Sequence, residues 1–518
     1  MAPAATASRP RPAAGLQFVM DPAATGKASP DTRKLIRRHV MLGKNTGKTR
    51  PPRNPALPSP TKRNRPSRSS RSDGSDGSDG SEDSAVAQRH ARGADTRGAV
   101  EWAVPPPFGH VLAALALPPD VQRHSVVLFL QFYQQISIHM VHPLHMCLSF
   151  EETSQTYILP IVADQAYLHS VISGACRAWQ GVLPQGSSKR AEMNRLSTFH
   201  ASRALTALRR RLDEDDERSK LSISTIMCAM MLAWYCFTTG DVASARVHTE
   251  GIGRLVLLRG GVGSFWPSPR PLLEIMRCDL AVAISSGLPP VIPKSSPGGE
   301  QVYLEYPDLS RFLQKRALAS ATASISVPAP PTWPPTQGHM DLSIDDPELG
   351  RVWRELSDFC AVANFAAASS GGQNRMTSQT YMCCMAASMY RLTAMRFAPG
   401  SGDEAVRLGL LAFAEPVFLP WGCLGVKYGH LADALRRELA RPELAWALSP
   451  GTIVWLLMIA GVSMLDFERE SWLRSVLWQN LGLCGVESWA ETRDLLMNYL
   501  WVGAVHDRGG EAMYHAKH

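Results

Sequence analysis

No cysteine occurs before Cys147, and the first 72 residues hold only two acids, Asp21 and Asp31. A zinc-built DNA reader needs several closely spaced thiolates, so the missing cysteines exclude one from the N-terminal part of the chain. The ten cysteines run scattered from Cys147 to Cys484. Their spacing gives no disulfide framework, and it predicts reduced, buried thiols of the cytosol or nucleus. MAPAATASRP has no apolar run of the kind that opens a secretory leader, so none is expected. Charged residues make up only 19% of the chain, which predicts a large buried interior.

Long apolar runs are also few. Leu221–Gly240 is twenty residues without a charge, and Gly451–Leu465 is fifteen. The first is interrupted by Ser222, Ser224, Thr225, Thr238 and Thr239, and the second is too short for a bilayer core of about 30 Å. Both predict buried core helices, and no membrane span is expected.

Against these absences stands a concentration of positive charge. Sixteen Lys and Arg in the first 72 residues face two acids, a balance of +14, so the rest of the chain carries −6 of the whole-chain +8. Such asymmetry marks a tail that meets a polyanion. Residues 1–15 are Ala/Pro-rich and expected to be disordered. Within 16–54, Ser29 as N-cap, Pro30 at the first helical position, Asp31 in the first turn and Gly43 at the end predict a short helix. One side of it carries Thr32, Leu35, Ile36, His39, Val40 and Leu42; the other carries Arg33, Lys34, Arg37 and Arg38, with Met41 among them. A basic amphipathic helix of this kind can lie on DNA, an import receptor, an anionic membrane or an acidic groove. Lys44, Lys48, Arg50 and Arg53 continue the arm among Pro and Thr. Those eight cations are the candidate nucleic-acid or import-receptor contacts. Contact through them would be non-specific and salt-dependent, because sequence readout needs side chains held at base edges.

Residues 55–107 form a low-complexity linker in which Ser-Asp-Gly repeats at Ser72–Gly74, Ser75–Gly77 and Ser78–Gly80. From 108 to 518 the pattern is persistently helical. Asp346 with Pro347, Ser449 with Pro450, Asp241, and the Ser488/Glu491 capping box mark helix starts, and Gly260-Gly261 marks a stop. Val126–Leu130 is an apolar run that could form a strand, but no stretch alternates long enough to build a sheet. Ala319–Gln337 is a Pro/Ala-rich insert expected on the surface. The fold class expected is all-α: a large multi-helix domain preceded by a disordered basic arm with one short amphipathic helix.

Little chemistry is signposted. Gly43-Lys44-Asn45-Thr46-Gly47-Lys48-Thr49 has three residues between its glycines where a phosphate loop needs four, and a helix rather than a strand precedes it. His139, His142, His145 and Cys147 are individually good zinc ligands. However, Pro143 breaks any helix between them and no second ligand cluster follows, so no metal site is expected. Cys383-Cys384 and Cys228/Cys236 fit ordinary core thiols. Asp213 to Glu217 fits a solvated interhelical loop. No Gly-x-Ser-x-Gly elbow or His-Glu-x-x-His occurs, and neither catalysis nor a cofactor is expected.

Three pieces of the helical part resemble the fungal-specific transcription-factor domain. They are Asp241 through Val256 to Leu258-Arg259-Gly260-Gly261; Met276-Arg277-Cys278-Asp279 through Ala281 to Ser285-Ser286-Gly287-Leu288-Pro289; and Gly461, Glu468 to Trp472, Glu491, Leu500-Trp501 and Asp507. The arm, in Phe18-Val19 and Arg33 to Met41, is similar to a leader on members that lack the six-cysteine binuclear zinc cluster. That resemblance implies a nuclear regulatory domain, a possible unidentified small-molecule ligand between helices, and contacts with other transcription regulators or with itself. Sequence-specific DNA binding is not carried over, because the six cysteines are absent. The alternative is a non-catalytic helical scaffold or ligand-sensing module whose basic arm docks an acidic partner or an anionic membrane.

Overall fold

The computed structural model describes residues 117–135, 144–149, 160–266, 268–294, 304–323, 344–369 and 374–516. The basic arm, its expected helix, the Ser-Asp-Gly linker and most of the Pro/Ala-rich insert lie outside them. The described residues are helical almost throughout. The longer helices begin with α1 (Arg123–Gln135), α2 (Gln165–Val182), α3 (Ser188–Asp213), α4 (Ile223–Thr238) and α5 (Val242–Arg259). Then come α6 (Arg270–Ser286), α7 (Ser310–Ala323), α8 (Pro347–Ala368), α9 (Ser378–Ala394) and α10 (Gly402–Phe418). They end with α11 (Gly429–Leu439), α12 (Pro450–Ser463), α13 (Ser471–Leu483), α14 (Trp489–Met497) and α15 (Gly503–His515).

The helix starts follow the local chemistry of the sequence. Asp241, Asp346 and Ser449 each accept a backbone N–H from three residues on, at Ser244, Leu349 and Thr452. Ser488 and Glu491 form the reciprocal capping box. Gly260 closes α5 at φ 117°, where a Cβ would be strained. The Val126–Leu130 run is helical, part of α1. The Ala-rich start of the expected insert continues α7 to Ala323, since alanine favours helix over loop. One small sheet is present among the described residues: β1 (Leu148–Ser149) pairs in parallel with β2 (Met376–Thr377). Two residues on each strand give no alternation, so the sequence offered no signal for it.

α2 packs along α3 and α4, and α4 against α5. α12 is the apolar centre of the C-terminal half, buried without a break from Thr452 to Ala460. Trp455 on it donates Nε1–H to Leu500 O at 2.9 Å, stacks on Tyr499 at 6.2 Å, and meets Trp353 of α8 edge-on at 5.0 Å. α10 can lie close to α12 because Gly409 faces Trp455 and Leu456. α6 lies between the two halves, against α4 and α5 on one side and α9 and α11 on the other.

Gly409→Val tests that close approach. A Cβ at 409 would stand 3.1 Å from the Trp455 ring as well as crowding Leu456. The substitution is expected to cost about 1–3 kcal/mol in urea unfolding, and an unchanged midpoint would show that α10 and α12 do not pack this tightly.

Candidate functional site

The eight arm cations, Arg33 to Arg53, and the residues His139 and His142 lie outside the described residues. His145 and Cys147 sit on a single 3₁₀ turn. The Cys147 thiol is buried and donates to Ala363 O at 3.3 Å; burial pushes its pKa up to about 11. A thiol held protonated in this way is a poor metal ligand. Among the described residues no group of three or more His, Cys, Asp or Glu is placed to hold a metal. Cys228, donating to Ala166 O at 3.4 Å, is pushed by burial to about 12 and Cys236 to about 11. The acidic run after α3 is exposed, and within it Asp216 caps a one-turn helix at Glu217–Lys220.

Two charged residues of α6 are almost wholly buried. Arg277 and Asp279 are 1% and 0% exposed. Two residues apart on a helix point in nearly opposite directions, so each reaches a different neighbour. Asp279 accepts the Val291 and Ile292 N–H groups, both at 3.0 Å, which pins the turn that follows Gly287. The Tyr390 hydroxyl of α9 lies 3.0 Å from Asp279 Oδ2 and 3.2 Å from Met276 O. Burial pushes the Asp279 carboxyl up, while those donors pull it back. Arg277 donates Nε–H to Phe418 O at 2.8 Å, at the end of α10, and its guanidinium stands 5.3 Å from the Trp421 ring. Trp421 in turn meets Trp234 and Phe237 of α4 edge-on. Arg177 of α2 closes the ring of contacts by donating to Thr238 O and, at 2.8 Å, to Leu424 O. Gly287 ends α6 at φ 72°, with the His430 ring of α11 packed where a Cβ would stand.

The N-terminal half has a second polar centre. His169 of α2 and His200 of α3 meet Nδ1 to Nδ1 at 2.8 Å, so one of the two nitrogens carries the proton. His200 Nε2 lies 3.1 Å from Ser125 Oγ of α1, and His169 Nε2 lies 3.4 Å from Asp120. Burial, with His169 alongside, holds His200 down to about 4. Ser125 is only 1% exposed, so this chain of groups presents no nucleophile to solvent. It joins α1, α2 and α3. In α10, burial pushes the Glu415 carboxyl up to about 8. Nothing in the sequence marked either histidine or Glu415, because pairing across 31 residues and burial leave no local pattern.

Residues 128–279 match the model of the Fungal specific transcription factor domain, and the chain carries that domain there. The match begins within α1 and ends on Asp279 itself. No curated protein and no solved structure matches the chain.

Asp279→Ala would leave the Val291 and Ile292 N–H groups without their buried acceptor and the Tyr390 hydroxyl with Met276 O, at an expected cost of about 3 kcal/mol or more. Tyr390→Phe should cost about 1 kcal/mol. The double variant in urea unfolding should fall short of the sum by at least about 0.5 kcal/mol; strict additivity would mean that the two groups do not act together. Stability should also fall on both sides of an intermediate pH. His200 titrates near 6.5 when unfolded and about 4 when folded, so its contribution is present above 6.5 and lost as pH falls toward 4. Glu415 runs the other way, present below 4.5 and lost as pH rises toward 8. In thermal melts across that range, Glu415→Gln should flatten the alkaline limb and leave the acid limb in place.

Proposed function

We propose that this protein is a nuclear transcription regulator whose helical body works by interaction and whose basic arm supplies import and non-specific DNA contact. The observation that carries this reading is the domain match over 128–279. That domain sets the protein in transcription regulation and is typically non-catalytic. The arm adds a +14 charge on the first 72 residues, opposite in sign to the −6 remainder. With no cysteine before Cys147, the chain does not carry the six-cysteine zinc cluster ahead of its helical body. Specific promoter choice therefore falls to a partner regulator bound through the helical body. No helix among the described residues is long and apolar enough to cross a membrane.

Crosslinking of the tagged protein to chromatin, beside a variant lacking residues 1–72, tests the division of labour. Discrete promoter peaks are expected for the full chain. Survival of those peaks without the arm would assign targeting to the helical body alone, and their loss would show that import or DNA contact by the arm is needed as well. No enrichment for either form would contradict the proposal. Neutralising Arg33, Lys34, Arg37 and Arg38 to Gln should reduce nuclear accumulation. On duplex DNA in vitro it should flatten the dependence of log K on log salt by up to about 3.6 units, near 0.9 for each phosphate left without its cation. An unchanged slope would remove those four residues from the interface.

A further inference from the structure

We propose that a cavity between the α3–α4 connection and the C-terminal end of α5 binds a small organic oxyanion, with Arg259 and Arg218 as its charged anchors. The cavity measures about 420 Å³ and is lined by Glu217, Arg218, Leu221, Arg259 and Ser264. Its shape follows from two turns. Gly260 and Gly261, at φ 117° and 79°, fold the chain back from α5 into the 3₁₀ turn Val262–Phe265. Facing it, the one-turn helix Glu217–Lys220 leads through Leu221 into α4.

Arg259 is held in place from two directions. Its Nη1 donates to Leu221 O at 2.5 Å, and its guanidinium stands 5.4 Å from the Phe265 ring. A guanidinium fixed in this way in the lining has its remaining Nη donors for a ligand oxygen. Arg218 is exposed and enters no ion pair among the described residues. The one acid in the lining, Glu217, pairs with Lys220 at 3.1 Å, which sets two guanidinium groups there against a single paired carboxylate. The Ser264 hydroxyl donates to Gly261 O at 2.8 Å, which leaves its oxygen free to accept from a ligand hydroxyl. Leu221 adds an apolar surface. A volume of this size, within the roughly 300–1,000 Å³ of small-molecule sites, exceeds a bare inorganic anion. Together these features call for a carboxylate or phosphate ester on a compact organic body. The inference extends the regulatory reading by giving the domain a ligand class, and binding can be measured whatever the protein does at promoters.

Calorimetry of the full chain against succinate, glycerol 3-phosphate, inorganic phosphate and glycerol tests it. Saturable binding of succinate or glycerol 3-phosphate, tighter than inorganic phosphate and absent for glycerol, is the expected result. Whichever of the two binds more tightly identifies the anion as carboxylate or phosphate. Arg218→Gln, an exposed position that should leave folding intact, should weaken that binding about tenfold or more. Arg254→Gln, exposed on α5 but outside the cavity lining, should change nothing. No saturable binding of either organic anion, or equal loss in both arginine variants, would overturn the proposal. A loss of chromatin targeting with binding intact would fault the regulatory reading alone.

Discussion

A charged side chain taken out of water must meet its partners in one geometry or cost several kcal/mol. Arg277 and Asp279 impose that condition on the middle of this fold. Through Asp279, α6 holds its own following turn and α9. Through Arg277 it holds the end of α10 and, by way of Trp421, the aromatic face of α4. Apolar contacts along α2, α4 and α12 would tolerate small slips, because hydrophobic burial has no direction. The two buried charges do not. They fix one register between the N-terminal helices and the C-terminal bundle, and the polar pair His169/His200 does the same on a smaller scale among α1, α2 and α3.

The consequence for function is that the helical body is larger than the recognised domain. The match stops at Asp279, yet the partner that completes that side chain inside the core is Tyr390 of α9. The buried contacts of α6 therefore join the matched segment to the C-terminal helices. The cavity beside Arg259 lies within the matched segment, on the same α5 that packs against α6. The arm and the body also divide the charge between them.

How much of this was legible in the sequence depended on the range of the interaction. Caps at Asp241, Asp346, Ser449 and Ser488 rest on chemistry spanning three residues, and all four stand where the sequence put them. The apolar run at 221–240 read as core and is α4. Met276 to Asp279 was legible as a family signature but not as a buried charge pair, since nothing local says whether Arg or Asp is solvated. Asp279 and Tyr390 are 111 residues apart, and the β1–β2 pairing joins positions 228 apart by two residues each. The Arg259 cavity leaves no mark in the sequence for the same reason, because its walls meet only after α4 and α5 have packed.

Native-state hydrogen exchange on the full chain, read helix by helix, tests the central claim most directly. If α6 couples the halves, the slowest amides of α4 and of α10 open together with one free energy, and Asp279→Asn speeds both by the same factor. Exchange of α2 to α5 well ahead of α10 to α15, or an Asp279→Asn effect confined to the turn at 287–292, would contradict it.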